Sequence, residues 1–285
     1  ARNGFKDWGR MPMRERAKAL EALAKRIREN RDRLALIDAV DSGNAIAGMR
    51  GDMDWTADTL EYFAGLVTEI KGETSSQGPR HLNMTRRQPY GVVAKINPFN
   101  HPFRFCIEKA AAPLAAGNCV VIKGSEQAPL SSLLIGELVK DILPPGVVNV
   151  VTGGETTGTA LVEHPDVDMI AFTGSTAVGR RIAVAAAAQL KKVNLELGSV
   201  DPFIVFKDAD LDVAVPGVLW ARMLNAGQVC TSSKRIYVEQ AIADEFVRRL
   251  EAELTTLVVG DPMHPATDVG PLISAEAAAL VERQV

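Results

Sequence analysis

Between Gly91 and Leu197 short β-branched, apolar runs alternate with helical segments. The runs Gly91–Ile96, Cys119–Lys123, Val147–Val151, Asp168–Phe172 and Val193–Leu197 are interleaved with Phe103–Ala115, Leu130–Ile142, Thr157–Glu163 and Thr176–Ala188. Strand–helix alternation of this kind predicts βαβ units, because parallel strands need a crossover between them. The runs are continuously apolar, as strands are when both faces of their sheet are covered. The expected fold class is therefore α/β, with a parallel sheet between two helical layers.

The flanks read differently. From Met13 to about Val40, Ala17, Leu20, Ala24, Ile27 and Leu34 recur near the 3.6 period, with Gly43 as a stop. A second helical stretch runs from about Asp52 to Val67. Residues 71–89 are polar and rich in turn formers, which describes either a flexible linker or a hairpin extending from the domain. Gly198–Pro202 looks like a boundary. Phe203–Phe206, Leu211–Leu224, Arg235–Val238 and Ile242–Leu257 then begin another α/β unit. The expected division is one domain from 1–70 and 90–197, an arm at 71–89, and the start of a second domain at 198–285.

Charge and cysteine usage narrow the function classes. Lysine plus arginine number 32 against 35 aspartate plus glutamate, a net charge of −3, which offers no basic footprint for nucleic acid or an anionic membrane. Three cysteines without C-x-x-C spacing argue against a disulfide framework or a thiolate zinc site, and for a reducing compartment. The four histidines show no metal-ligand spacing, so no metal is expected. No apolar run reaches the ~18 residues of a membrane span, and the first residues carry no signal-peptide core. The expectation is a cytoplasmic protein.

Open parallel sheets bind ligands beyond the carboxyl ends of their strands, and four features fall there. Phe172-Thr173-Gly174-Ser175-Thr176-Ala177-Val178-Gly179 joins a strand to a helix whose free N–H groups favour a phosphate. Taken alone, such a turn is more often an ordinary capped helix, and it is not G-x-G-x-x-G. Val121-Ile122-Lys123-Gly124-Ser125-Glu126 places a lysine and a carboxylate where ribose hydroxyls could be met, and the glutamate would repel a 2′-phosphate. A solvated surface ion pair is the alternative. Cys230 lies in the glycine-bearing loop Asn225–Thr231, unlike Cys106 and Cys119 in their apolar settings; an inert thiol, the commoner fate of a single cysteine, is the alternative. Glu196 stands between two leucines, where partial desolvation would raise its carboxyl and suit a general base; a structural glutamate bonded to nearby backbone is the alternative.

Together these segments resemble the aldehyde dehydrogenase superfamily. Asn97-Pro98-Phe99-Asn100-His101-Pro102 is similar to that family's oxyanion-asparagine motif, Leu195-Glu196-Leu197-Gly198 to its glutamate motif, and Gly227-Gln228-Val229-Cys230 to its nucleophile motif. The resemblance implies a Rossmann-like cofactor domain followed by the first part of an α/β catalytic domain. It implies Cys230 as nucleophile, Asn100 as oxyanion donor and Glu196 as the base that activates water. It also implies NAD, with NADP as the variant, held by Ile96, Lys123, Ser125, Glu126, Thr173, Gly174, Ser175, Thr176, Gly179 and Leu197, with Ser175 on a phosphate. The partner would be a small aldehyde, and the assembly a homodimer or homotetramer using residues 71–89.

The sequence departs from the family at four points. Ser199 stands where a second glycine is usual, Gly124 replaces a common proline, and Phe99 replaces a common tryptophan. Family members also continue well past residue 285, so the chain reads as part of a longer enzyme, and alone it is expected to be poorly stable or inactive. Two other readings remain at this stage: a coenzyme-A-acylating dehydrogenase, in which Glu196 would be unnecessary, and a non-catalytic protein retaining the fold.

Overall fold

The computed structural model describes residues 1–76 and 78–284. Four helices come first: α1 (Arg2–Trp8), α2 (Met13–Glu29), α3 (Arg31–Ser42) and α4 (Ile46–Gly65). The periodic stretch from Met13 is thus two helices, broken at Asn30, whose side-chain amide turns back onto the Arg26 carbonyl at 2.9 Å. Gly43 ends α3 with a φ of 79°, the left-handed cap that glycine adopts without a Cβ penalty. The next helix begins at Ile46, six residues before the expected start, because Ile46 and Met49 are buried in the core.

Residues 71–89 include an antiparallel pair, β1 (Thr74–Ser76) with β2 (Leu82–Met84), both exposed. Then follow β3 (Val92–Ile96), α5 (Pro102–Ala115), β4 (Cys119–Lys123), α6 (Leu130–Val139), β5 (Val148–Val151), α7 (Glu155–Glu163), β6 (Met169–Thr173), α8 (Thr176–Ala187) and β7 (Lys192–Glu196). These five strands form one sheet in the order β5-β4-β3-β6-β7, with parallel pairing throughout. The chain starts at the centre, works outward through β4 and β5, then returns to β6 on the other flank. That reversal leaves a crevice between β3 and β6 at their carboxyl ends.

Strand alternation sorts β3 between two cores. Val93 joins Val120, Ile122 and Ala171 against the N-terminal helices, α5 and α6. Val92, Ala94 and Ile96 join Ile170 and Phe172 against Val162 of α7 and Ile182 of α8. Lys95 shares the Val93 face and is buried there. The expectation of continuous burial holds for β3, β4 and β6, weakens at β5, which is half-buried throughout, and fails for β7, whose residues are almost all exposed; β5 and β7 are the edge strands, each with a neighbour on one side only.

Beyond the sheet, β8 (Pro202–Val205), α9 (Leu211–Met223) and β9 (Arg235–Val238) form a smaller parallel βαβ unit. With α10 (Ala243–Leu254) they build a third core around Val205, Val215, Val218 and Phe246. The last element is α11 (Ala275–Gln284). The two units touch where the Ile46 amide donates to the Pro262 carbonyl at 2.9 Å.

Helix α3 ties the N-terminal layer to the sheet by capping two other helices. Asp38 accepts from the Phe103 amide at the start of α5 at 3.1 Å, and Asp41 accepts from the Leu130 amide at the start of α6 at 2.8 Å. A carboxylate suits a helix N-terminus, where amide N–H groups are unpaired. Asp38 is wholly buried, and that burial pushes its carboxyl from 3.8 up to about 7. A carboxyl raised on folding stabilises the native state below its unfolded value, and the benefit is lost as pH rises through the folded value. Stability is therefore expected to fall between about pH 4 and about pH 7, and Asp38→Asn to flatten that slope, as read from urea midpoints across this range.

Candidate active site

A cleft of about 530 Å³ lies over the carboxyl ends of β3, β4 and β6. Ile96, Lys123, Ser125, Glu126, Thr173, Gly174 and Ser175 line it; Thr176, Gly179 and Leu197 stand outside the lining. The two glycines matter through packing. A Cβ on Gly174 would lie 2.5 Å from the Phe172 ring, and one on Gly179 would lie 2.6 Å from Leu197 Cδ2. Backbone can therefore approach the cleft at 174, and α8 can sit close to Leu197. The Ser175 hydroxyl caps α8 by accepting from the Val178 amide at 3.3 Å.

Lys123 is not part of a solvated surface pair. Its side chain is buried, and Nζ donates to the Gly124 carbonyl at 3.1 Å and to Glu126 Oε2 at 3.2 Å, while the Glu126 side chain stays 60% exposed. Partial burial works to raise the Glu126 carboxyl, but its own backbone amide and Lys123 outweigh it and hold it below the usual range. Thr173 Oγ1 and Asn97 Oδ1 are buried without an internal partner, and both residues line the cleft. Such atoms are costly unless a ligand or water meets them. Sequence reasoning missed Gly154, Glu155, Gly158 and Thr159 at the start of α7 and Arg181 on α8, which pairs with Glu155 beside the cleft. Gly153-Gly154, one residue past the end of β5, carried a strand–glycine–helix signature like that of Gly174 and could have flagged them.

Between α9 and β9 the chain makes a strained turn. Asn225, Ala226 and Gly227 have φ of 50°, 57° and 77°, three consecutive left-handed residues. A non-glycine residue pays about 1–2 kcal/mol there, so the surroundings must hold it. They do. The Asn225 carbonyl accepts from the Gln228 amide at 3.0 Å and from Gln228 Nε2 at 3.0 Å, and Gln228 Oε1 accepts from the Ile273 amide at 3.0 Å. Asn225 Nδ2 donates to the Asn100 carbonyl at 2.8 Å, and Asn44 Nδ2 donates to the same oxygen at 2.8 Å.

The turn that leads into Cys230 is thus docked on the segment that carries Asn100. Asn100 is buried, and its Oδ1 has no internal partner. Cys230 is half-buried, whereas Cys106 and Cys119 are buried, and desolvation pushes their thiols up to about 12 and about 11. Those two are inert core residues; Cys230 is the accessible one.

Glu196 closes β7 at the same edge of the sheet, in register with Thr173, and its carbonyl accepts from the Gly174 amide at 3.0 Å. Its side chain is exposed, so the desolvation expected from its leucine neighbours is absent: an edge strand does not bury what a central strand would. Lys95 is a titratable group the sequence reading passed over. Burial, with Lys109 adding to it, pushes its ammonium down to about 8, against the pull of Cys106 and Glu196.

Comparison with known proteins gives a consistent result. A sequence model described as the aldehyde dehydrogenase family matches residues 1–285. Betaine aldehyde dehydrogenase of Vibrio vulnificus (strain CMCP6) is 42% identical over 276 residues, which are 96% of this chain and 57% of that protein. A solved NAD-dependent aldehyde dehydrogenase from Sinorhizobium meliloti superposes with a TM-score of 0.95 at 39% identity, covering 97% of this chain and 56% of that one. An Escherichia coli structure described as an NADP dependent enzyme superposes with a TM-score of 0.96 at 37% identity, over 99% and 60%. The chain spans about 57% of the length of the first of these relatives.

The strained turn makes a prediction of sign. Ala226→Gly relieves a left-handed alanine at the cost of unfolded-state entropy, so it is expected to leave stability unchanged or raise it by up to ~1 kcal/mol. The same exchange at Ala24, inside α2, is expected to lose about 1 kcal/mol, and paired urea melts read both.

Proposed function

The chain belongs to the aldehyde dehydrogenase family, and from that premise we propose that it supplies the cofactor cleft and the reacting residues of an enzyme that oxidises an aldehyde to a carboxylic acid. The observation that carries the reading is the docking of the Cys230 turn on Asn100, because it joins a thiol that is not locked in the core to a buried residue whose side-chain amide carries the N–H donors an oxyanion needs.

The cleft fits a nicotinamide dinucleotide. Gly174 lets backbone approach, the N-terminus of α8 offers amide N–H groups to a phosphate, and Thr173 supplies a hydroxyl without an internal partner. Lys123 and Glu126 meet the adenosine ribose, with Ser125 beside them and Ile96 on the cleft wall. When bound, the nicotinamide serves as hydride acceptor. We assign NAD over NADP, because the Glu126 carboxylate, held low by its own backbone amide and by Lys123, opposes a 2′-phosphate.

Cys230 acts as thiolate and attacks the aldehyde carbonyl, forming a sulfur–carbon bond. The resulting oxyanion is held by the Asn100 amide and the Cys230 backbone N–H, donors fixed before charge develops and typically worth about 3–4 kcal/mol each. After oxidation the acyl group sits on sulfur as a thioester. Glu196 takes a proton from water, the hydroxide attacks the acyl carbon, and the thiolate leaves with the acid formed. Exposure of Glu196 keeps it in contact with the water it needs. The hairpin β1–β2, with Leu82 and Met84 open to solvent, serves as the arm for association into a homodimer or homotetramer.

The test is an aldehyde panel on the full-length protein with NAD and with NADP, following reduced cofactor. Cys230→Ser is expected to lower kcat by about 10³-fold or more, and wild-type turnover in that variant contradicts the assignment. Lys123→Ala removes a charged hydrogen-bond donor and is expected to raise the cofactor KM about 10-fold with little change in kcat. Glu126→Gln is expected to move the NADP-to-NAD ratio of kcat/KM towards NADP.

A further inference from the structure

His101 follows Asn100 directly and is buried, yet the chemistry above does not use it. Its Nδ1 lies 2.6 Å from Asp52 Oδ2, on a side chain of α4 that is itself buried, and its Nε2 lies 3.3 Å from Asn225 Nδ2. Asp52 Oδ1 accepts from Arg104 at 3.2 Å, and Arg104 is held in turn by Glu108 at 2.6 Å. Donor counting fixes the arrangement. The Asn225 amide nitrogen has two hydrogens; one goes to the Asn100 carbonyl, so the other meets His101 Nε2 as acceptor. His101 then carries its own hydrogen on Nδ1 and donates to Asp52. In this tautomer both ring nitrogens of His101 have a partner.

The consequence falls on the strained turn. Asn225 sits at φ 50° with Ala226 at 57°, and its amide is the side chain that ties that turn to Asn100. We propose that the buried Asp52–His101 pair is a positioning device: by accepting one hydrogen of the Asn225 amide it orients the other onto the Asn100 carbonyl, and so sets the register between the Cys230 turn and the oxyanion residue. The inference rests on the reading of Cys230 as nucleophile and Asn100 as oxyanion donor. His101 touches no reacting atom in this account; it acts through Asn225.

His101→Leu keeps similar bulk and removes the acceptor, whereas His101→Gln keeps a side-chain oxygen that can accept from Asn225. On the full-length protein three readouts are taken together: kcat and KM with aldehyde and NAD, the rate of Cys230 alkylation by iodoacetamide, and the melting temperature. His101→Leu is expected to lower kcat 10-fold or more and to change the alkylation rate severalfold, with the cofactor KM within twofold of wild type. His101→Gln is expected to recover most of kcat. If His101→Leu fails to fold, Asn225→Ala, at a half-buried site that leaves Asp52–His101 intact, carries the same expectation. Wild-type kcat and alkylation in the folded variant overturn the proposal. A parallel Cys230→Ser variant separates the two ideas: if it stays active, the reading of the nucleophile fails; if it is dead while His101→Leu is normal, only the positioning role fails.

Discussion

One backbone carbonyl joins three parts of this molecule that are far apart in the chain. The oxygen of Asn100 receives an amide from Asn44, at the turn between α3 and α4, and another from Asn225, in the strained turn before Cys230. A buried carbonyl with two donors is fully satisfied and cannot drift without leaving both unpaired, which costs about 1–3 kcal/mol per group. Three distant stretches of chain are thereby fixed at one point. The left-handed run at Asn225 and Ala226 persists because this point holds it, and the accessible thiol is delivered by the same turn.

The parallel sheet makes that point useful. All five strands run the same way, so Ile96, Lys123, Thr173 and Glu196 end at one edge, and the residues that follow the first three line the cleft. The glycines at 174 and 179 have packing reasons, since side chains there would collide with Phe172 and Leu197. Helix α3 adds rigidity from behind by capping α5 and α6 through Asp38 and Asp41. The Asn100–His101 segment, which leads into α5, thus inherits a fixed origin.

What the sequence disclosed follows from what burial does to it. Strands covered on both faces must be apolar throughout, so the βαβ pattern and the strand ends were legible, and with them the cleft positions of Lys123 and Gly174; Cys230 stood out instead by its loop setting. The burial that its leucine neighbours suggest for Glu196 is not found, because its edge position leaves it in water. For Lys123 the sequence left a ribose contact and a solvated surface pair open, because nothing local reveals that the βα turns bury its stem. Asn44, Asp52 and Asn225 were invisible, since their roles are hydrogen bonds across 56, 49 and 125 positions of chain, and no periodicity encodes such contacts. The break at Asn30 lay inside an unbroken apolar period and shows only in the side-chain bond that terminates α2.

The central claim is that sulfur 230 carries the acyl group during turnover. Full-length protein supplied with an aldehyde and NAD can be quenched in acid within the first turnovers and digested, and its three cysteine-bearing peptides weighed. The account predicts an acyl mass on the peptide containing Cys230 and none on those containing Cys106 and Cys119. Sustained turnover with Cys230 never acylated would contradict it.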